Sequence, residues 1–269
     1  MSDAGHDRVR SQQQLVGRKV IVTGGSRGLG AEIVRLLVGE GARVATCARG
    51  AEQLRSLTSE LHRDGALPLF SRAFDVAEPG LLEQFVNDAA DAMGGLDGVV
   101  ACAGGARGRG LLDASHADWT MTWELNAGHT ARLTASAVPH LRHAGGGSVV
   151  VIASISGSKP GPQAQYGAAK AAQIHMVASL ARELGVDGIR INAVSPGSML
   201  IPGKRWDRMR SEDPAAFNRF RAEFPGRELV APSEVAEVVA FLLSDRSSGV
   251  TGANIPVDKG QNAPTPEGY

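Results

Sequence analysis

No stretch of this chain approaches about 18 consecutive apolar residues, so no membrane span is expected. No charge sign dominates either, since Lys+Arg and Asp+Glu each number 28. The global basic field that nucleic-acid binding uses is missing, and no nucleic-acid partner is expected. Cysteine is scarce. Cys47 and Cys102 lie far apart, form no C-x-x-C, and read as reduced core residues of a cytoplasmic protein. Of seven histidines, His140 and His143 form a close pair with no partner ligands nearby in sequence. They read as solvated helix residues, and no metal is expected. The opening MSDAGHDRVRSQQQL is polar with no apolar core, so residues 1–16 read as a disordered lead-in rather than a signal peptide. No repeat or interdomain linker is visible. What remains is 269 residues with an apolar fraction of 43%, enough for one sizeable α/β core.

The chain is organised around GSVVVIASISGSKPGPQAQYGAAKAAQI, residues 147–174. Val149, Val150, Val151 and Ile152 form a short apolar run of buried-strand type. It ends at Ser154, a Gly/Pro-rich turn follows, and then a helix-forming segment carries Tyr166 and Lys170. Four residues apart, those two share one helix face, with the ammonium near the phenol. A neighbouring cation favours the phenolate, so Tyr166 is a candidate proton donor and acceptor, with Ser154 placed to bond the same substrate oxygen. Alone, a Tyr-x-x-x-Lys pair is common on helices as a solvated pair, so the rest of the chain decides.

Upstream, the strand-like KVIVT, residues 19–23, runs directly into Gly24-Gly25-Ser26-Arg27-Gly28-Leu29-Gly30 and an amphipathic helix. Glycines there permit positive φ and close approach of backbone to a pyrophosphate, and the helix N-terminus offers free N–H groups. The second strand, residues 42–47, is followed by Ala48-Arg49-Gly50. The carboxylate that would accept hydrogen bonds from the ribose of NAD is missing. Arg27 and Arg49 suit a 2′-phosphate instead, so NADP(H) is the expected cofactor.

The spacing G-x-x-x-G-x-G, followed far downstream by Ser154, Tyr166 and Lys170, resembles the short-chain dehydrogenase/reductases. The resemblance spans about residues 17–261, with 262–269 as a loose tail. It implies one doubly wound Rossmann-type domain, with about seven parallel strands flanked by helices. Among its members the nearest likeness is to 3-oxoacyl-(acyl-carrier-protein) reductases and related ketoreductases, acting on a small-molecule or carrier-bound carbonyl. It also implies a homotetramer, with a dimer as the alternative. Asp75, after a third strand at residues 67–74, takes the adenine-binding role, with Val76 beside it. Ala103 and Gly104 let the cofactor approach, although the family's N-A-G reads Cys102-Ala103-Gly104 here. Asn126, in a long helix over residues 117–143, matches the asparagine that holds a water linking the catalytic lysine to solvent. Pro196 and Gly197 border the nicotinamide. Ile201 stands where a threonine commonly bonds the carboxamide, leaving Met199 or Ser198 as substitutes. Tyr166 and Lys170 also contact the cofactor. Ser154 stands twelve residues before Tyr166 where thirteen is common, with Ser156 as the second candidate.

Residues 202–224 read as a polar, mobile lid. Arg107, Arg109, Lys204, Arg205, Arg208 and Arg210, with Trp206, could form a local basic mouth for an anionic substrate. Ser233 is the expected cap of a helix over residues 233–243. Alternatives to a ketoreductase are a sugar or polyol dehydrogenase and a non-catalytic NADP-binding sensor or scaffold.

Overall fold

Runs rich in Val, Ile and Ala become the strands. The computed structural model describes residues 14–63 and 68–263. Among them lie seven strands: β1 Lys19–Thr23, β2 Arg43–Ala48, β3 Phe70–Ala73, β4 Gly98–Ala101, β5 Gly147–Ile152, β6 Ile189–Pro196 and β7 Asn254–Val257. They form one sheet in the order β3-β2-β1-β4-β5-β6-β7, and every neighbouring pair is parallel. Side chains alternate between two apolar layers. Ile21, Val99, Val149 and Ile191 face one layer; Val20, Val22, Val100 and Val150 face the other. A parallel sheet covered on both faces needs such continuous apolar strands. Each fully buried Val or Ile contributes about 1.5–3 kcal/mol.

The first layer is completed by α3 (Leu81–Met93), α5 (His129–His143) and α6 (Ala164–Gly185). The second is completed by α1 (Gly28–Gly39), α2 (Ala51–Arg63) and α9 (Pro232–Leu243). Strand order reverses between β1 and β4, which leaves a crevice at the carboxyl ends of the strands. No helix among the described residues is long and apolar enough to cross a membrane.

Several expectations need correction. Of the lead-in over residues 1–16, residues 1–13 lie outside the described residues. Leu15 is fully buried in the second layer, and the Gly17 N–H donates to Gly41 O at 2.9 Å, so the folded unit starts earlier. The third strand is shorter than residues 67–74, and Leu67 lies outside the described residues. At the other end the Asn262 N–H still donates to Asp258 Oδ2 at 2.9 Å, so residue 262 is held to the fold; residues 264–269 are outside the described residues. The helix over residues 233–243 starts one residue earlier, with Pro232 in its first turn. Its N-cap is Ala231, whose N–H is taken by the Glu234 carboxylate at 2.8 Å, so Ser233 is not the cap.

The long helix over residues 117–143 is interrupted. α4 (His116–Trp123) is capped by Ser115, whose Oγ accepts from the Asp118 N–H at 3.2 Å. A π turn over Glu124–Gly128 follows, and only then α5. Inserted turns of this kind collect at functional sites. The polar lid is also ordered differently. α7 (Arg205–Glu212) and α8 (Pro214–Arg221) close over a small apolar cluster of Phe217, Phe224 and Leu229. Trp206 stacks on Phe220 with centroids 3.6 Å apart.

Candidate active site

A groove of about 630 Å³ runs along the crevice. Its floor depends on glycines. Gly24 has φ +76°, and a Cβ there would lie 2.9 Å from Ala103 Cα. A Cβ on Gly30 would lie 2.2 Å from Gly24 O. Gly28, at φ +56°, meets nothing nearer than an Ile201 methyl at 3.6 Å, so open groove lies above it. α1 begins there with no side-chain cap and no acidic residue in its first turn. Its free N–H groups and positive dipole end therefore face the groove, a ready seat for a pyrophosphate. The cradle and donor set fit a dinucleotide.

At one end the groove is lined by Arg27, Arg49, Gln53 and Asp75. Arg49 Nη1 lies 3.6 Å from Asp75 Oδ2, both side chains being partly exposed. A screened pair of this kind is worth little and opens easily.

The other end holds Ser154, Tyr166 and Lys170. β5 delivers Ser154 and α6 delivers the other two. Ser154 Oγ accepts from the Ser156 N–H at 3.1 Å, which fixes the hydroxyl. Lys170 Nζ lies 5.6 Å from the Tyr166 ring centroid and donates to Ile152 O and Gln173 Oε1, each at 2.8 Å. Burial pushes the lysine down to about 7. Burial pushes the Tyr166 phenol above its ordinary value, against a hydrogen bond with Ser154 that pulls it down. The expected acidification of Tyr166 by Lys170 is thus reversed. Desolvation of both groups outweighs their attraction, so the phenol stays protonated near neutral pH.

Asn126 stands behind this end, fully buried. Its Nδ2 donates to Gly105 O and to Thr122 O, both at 2.7 Å. A Cβ on Gly104 would lie 2.8 Å from Asn126 Oδ1, so the asparagine backs the groove wall rather than lining it. Its backbone carbonyl accepts from the Thr130 hydroxyl at 2.8 Å and the Gln173 amide at 3.3 Å.

The asparagine missing at position 102 has a substitute. Thr23 Oγ1 accepts from the N–H groups of Cys102 at 3.1 Å and Ala103 at 3.2 Å. His129 Nε2 lies 2.9 Å from the same oxygen. The Thr23 hydroxyl also donates to Val100 O at 3.3 Å. β1, the loop after β4 and α5 are tied together. Burial, then the charges of Lys170 and Arg132, push His129 from 6.5 down to about 3. Below its unfolded value the unfolded chain takes up a proton that the folded chain refuses. Stability present above pH 6.5 is therefore lost as pH falls toward 3. The slope from this group is up to about 1.4 kcal/mol per pH unit. A His129→Gln variant is expected to show a shallower loss of urea stability between about pH 6 and pH 4 than the parent. Parallel curves for the two proteins would contradict it.

Every expected cofactor residue lines the groove: the loop from Gly24 to Gly30 through Ser26, Arg27, Gly28 and Leu29, then Arg49, Asp75 and Val76, Ala103 and Gly104, Tyr166 and Lys170, and Pro196, Gly197 and Met199. Ser198 does not; its N–H and hydroxyl are both engaged by Gln261. None of the substrate candidates Ser156, Arg107, Arg205 and Trp206 lines it either. Ser156 serves Ser154 through its backbone. Arg107 is bound through its own backbone to Thr122 and Gln165. Arg205 lies over Trp206 at 4.5 Å, and Trp206 belongs to the lid's apolar cluster. Of the basic mouth only Lys204 reaches the groove. Cys102, expected in the core, lines the groove wall partly exposed, its thiol pushed up to about 12 by burial. Sequence reading missed Gln53, Leu125 and Gln173. For Gln173 a signal existed: an amide three residues after Lys170 on a helix face that packs inward.

The family model described as enoyl-(acyl carrier protein) reductase matches residues 24–262. Isoepoxydon dehydrogenase of Penicillium expansum is 33% identical over 250 residues, 91% of this chain and 95% of that protein. The (3R)-3-hydroxyacyl-CoA dehydrogenase of Mus musculus is 34% identical over 260 residues, 93% of this chain and 98% of that protein. A solved short-chain dehydrogenase from Burkholderia cenocepacia, in complex with NADP, has a TM-score of 0.84 at 30% identity and covers 93% of this chain and 100% of its own. With likeness running along nearly the whole length of each protein, this chain belongs to the short-chain dehydrogenase/reductase family and is an oxidoreductase.

Proposed function

We propose that this enzyme reduces a ketone to a secondary alcohol with NADPH. The observation that carries the reading is the convergence of Ser154, Tyr166 and Lys170 at one end of a groove whose other end holds Arg27 and Arg49. Gly24, Gly28 and Gly30 hold the dinucleotide at the N-terminus of α1, and Arg27 and Arg49 take the 2′-phosphate. NADPH bound there supplies hydride to the carbonyl carbon. Tyr166, protonated near neutral pH, gives its proton to the oxygen as negative charge develops on it. Ser154, its Oγ fixed by Ser156, donates a hydrogen bond to that same oxygen. Lys170 presents its ammonium to the groove, and Asn126 stiffens the wall behind Gly104.

The substrate class we favour is a 3-oxoacyl thioester or a ketone of secondary metabolism. Relatives named as a 3-hydroxyacyl-CoA dehydrogenase and an isoepoxydon dehydrogenase support it. Assembly as a homotetramer belongs to the same reading, and sedimentation equilibrium distinguishes it from a dimer. The test of function is loss of NADPH absorbance against a panel of 3-oxoacyl thioesters, cyclic ketones and keto sugars, with NADH in parallel. Turnover with thioesters or cyclic ketones and preference for NADPH are expected. Turnover confined to keto sugars selects a polyol dehydrogenase, and cofactor binding without turnover of any carbonyl selects a sensor.

A further inference from the structure

Lys170 is held by more than its role beside Tyr166 requires. Its ammonium is buried, and its three hydrogens need acceptors. Ile152 O takes one and Gln173 Oε1 takes another, each at 2.8 Å, leaving the third for the groove. Gln173 lies one turn further along α6 and is fully buried. A buried amide costs free energy unless both its ends are satisfied. Here both are. Nε2 donates to Thr130 Oγ1 at 2.7 Å and toward Asn126 O at 3.3 Å. The Thr130 hydroxyl hydrogen goes to Asn126 O at 2.8 Å, so Thr130 Oγ1 is free to accept from the amide. An ammonium has no lone pair, so the atom facing it must be the amide oxygen. The orientation of Gln173 is therefore determined from both ends.

We propose that Gln173 is a positioning residue for the reaction, whose amide oxygen anchors the Lys170 ammonium at the groove and supports its charge. The inference rests on the carbonyl-reductase reading above. The titratable groups facing Lys170 are Tyr166 from its own helix, Cys102 from the loop after β4 and His129 from α5. The imidazole is neutral above about 3, the thiol is protonated up to about 12 and burial raises the phenol, so of these groups only Lys170 changes charge near neutral pH. Removing the Gln173 oxygen leaves the ammonium with one acceptor fewer and favours the neutral amine. A carboxylate in its place does the reverse.

Two variants test this, Gln173→Leu and Gln173→Glu. Two measurements apply: the pH profile of kcat/KM for NADPH-dependent reduction, and the NMR titration of the Lys170 ε-carbon. The chain has only Lys19, Lys159, Lys170, Lys204 and Lys259, and Lys170→Arg assigns the signal. In Gln173→Leu the lysine titration and the alkaline limb are expected to move down by about one pH unit, with kcat falling more than KM changes. In Gln173→Glu both move up by about one unit. A merely structural role would lower stability and leave both profiles in place. Folded variants that titrate like the parent overturn the proposal. If Gln173→Leu fails to fold, Gln173→Glu decides alone, because it keeps the shape. If the parent reduces no carbonyl, the functional reading fails, while the lysine titration still decides Gln173.

Discussion

Replacing Tyr166 with Phe is expected to lower kcat for ketone reduction roughly a thousandfold, with NADPH affinity within about twofold of the parent. The ring stays and only the hydroxyl goes, so packing against Lys170 and the groove wall survives. What is lost is the one group placed to protonate the nascent alkoxide. Because burial raises the Tyr166 pKa, the parent phenol is a donor throughout the neutral range. The phenol therefore sets no limb in the neutral range, and the alkaline fall of reduction is expected to follow Lys170, which burial brings down to about 7. Turnover of the Phe variant near the parent rate would remove Tyr166 from the mechanism. Comparable loss of NADPH binding would show that the hydroxyl serves the cofactor instead.

Neutralising the two arginines together, Arg27→Ala with Arg49→Ala, is expected to raise KM for NADPH by one to two powers of ten, roughly. Charge-assisted hydrogen bonds are worth about 1.5–3 kcal/mol each, and the exposure of both side chains reduces that. KM for NADH should change by less than about threefold, since NADH has no 2′-phosphate for either guanidinium to hold. The Arg49–Asp75 pair at 3.6 Å must open for this contact. Between exposed partners that costs little. Equal effects on both cofactors would assign the arginines to general electrostatic attraction rather than to the phosphate.

Much of the site was legible because it is built from local rules. Gly24, Gly28 and Gly30 announce positive φ and close approach, and the structure has both. Tyr166 and Lys170 share a face because a helix turns every 3.6 residues. The alternating apolar strands foretell a sheet covered on both sides. What sequence could not show depends on contacts between distant residues. Trp206 and Phe220 are fourteen positions apart, in a segment whose composition is polar, so their stacking left no periodic trace. At the π turn around Asn126 side chains bond backbone across it, which no propensity records. Thr23 stands in for the missing asparagine from β1, with His129 of α5 against it. The rise in the Tyr166 pKa follows from burial, and burial belongs to the assembled groove, whereas the Tyr166–Lys170 spacing alone suggested the opposite sign.

The central claim is that a nicotinamide ring sits beside the Tyr166 phenol. The chain has two tyrosines, Tyr166 and Tyr269, so ring-labelled tyrosine gives a spectrum that one Tyr166→Phe sample assigns. Titration with NADP is expected to shift the Tyr166 resonance and to produce nuclear Overhauser contacts between its ring and the nicotinamide protons. Saturable binding of NADP that leaves the Tyr166 resonance unmoved and without such contacts would contradict the account.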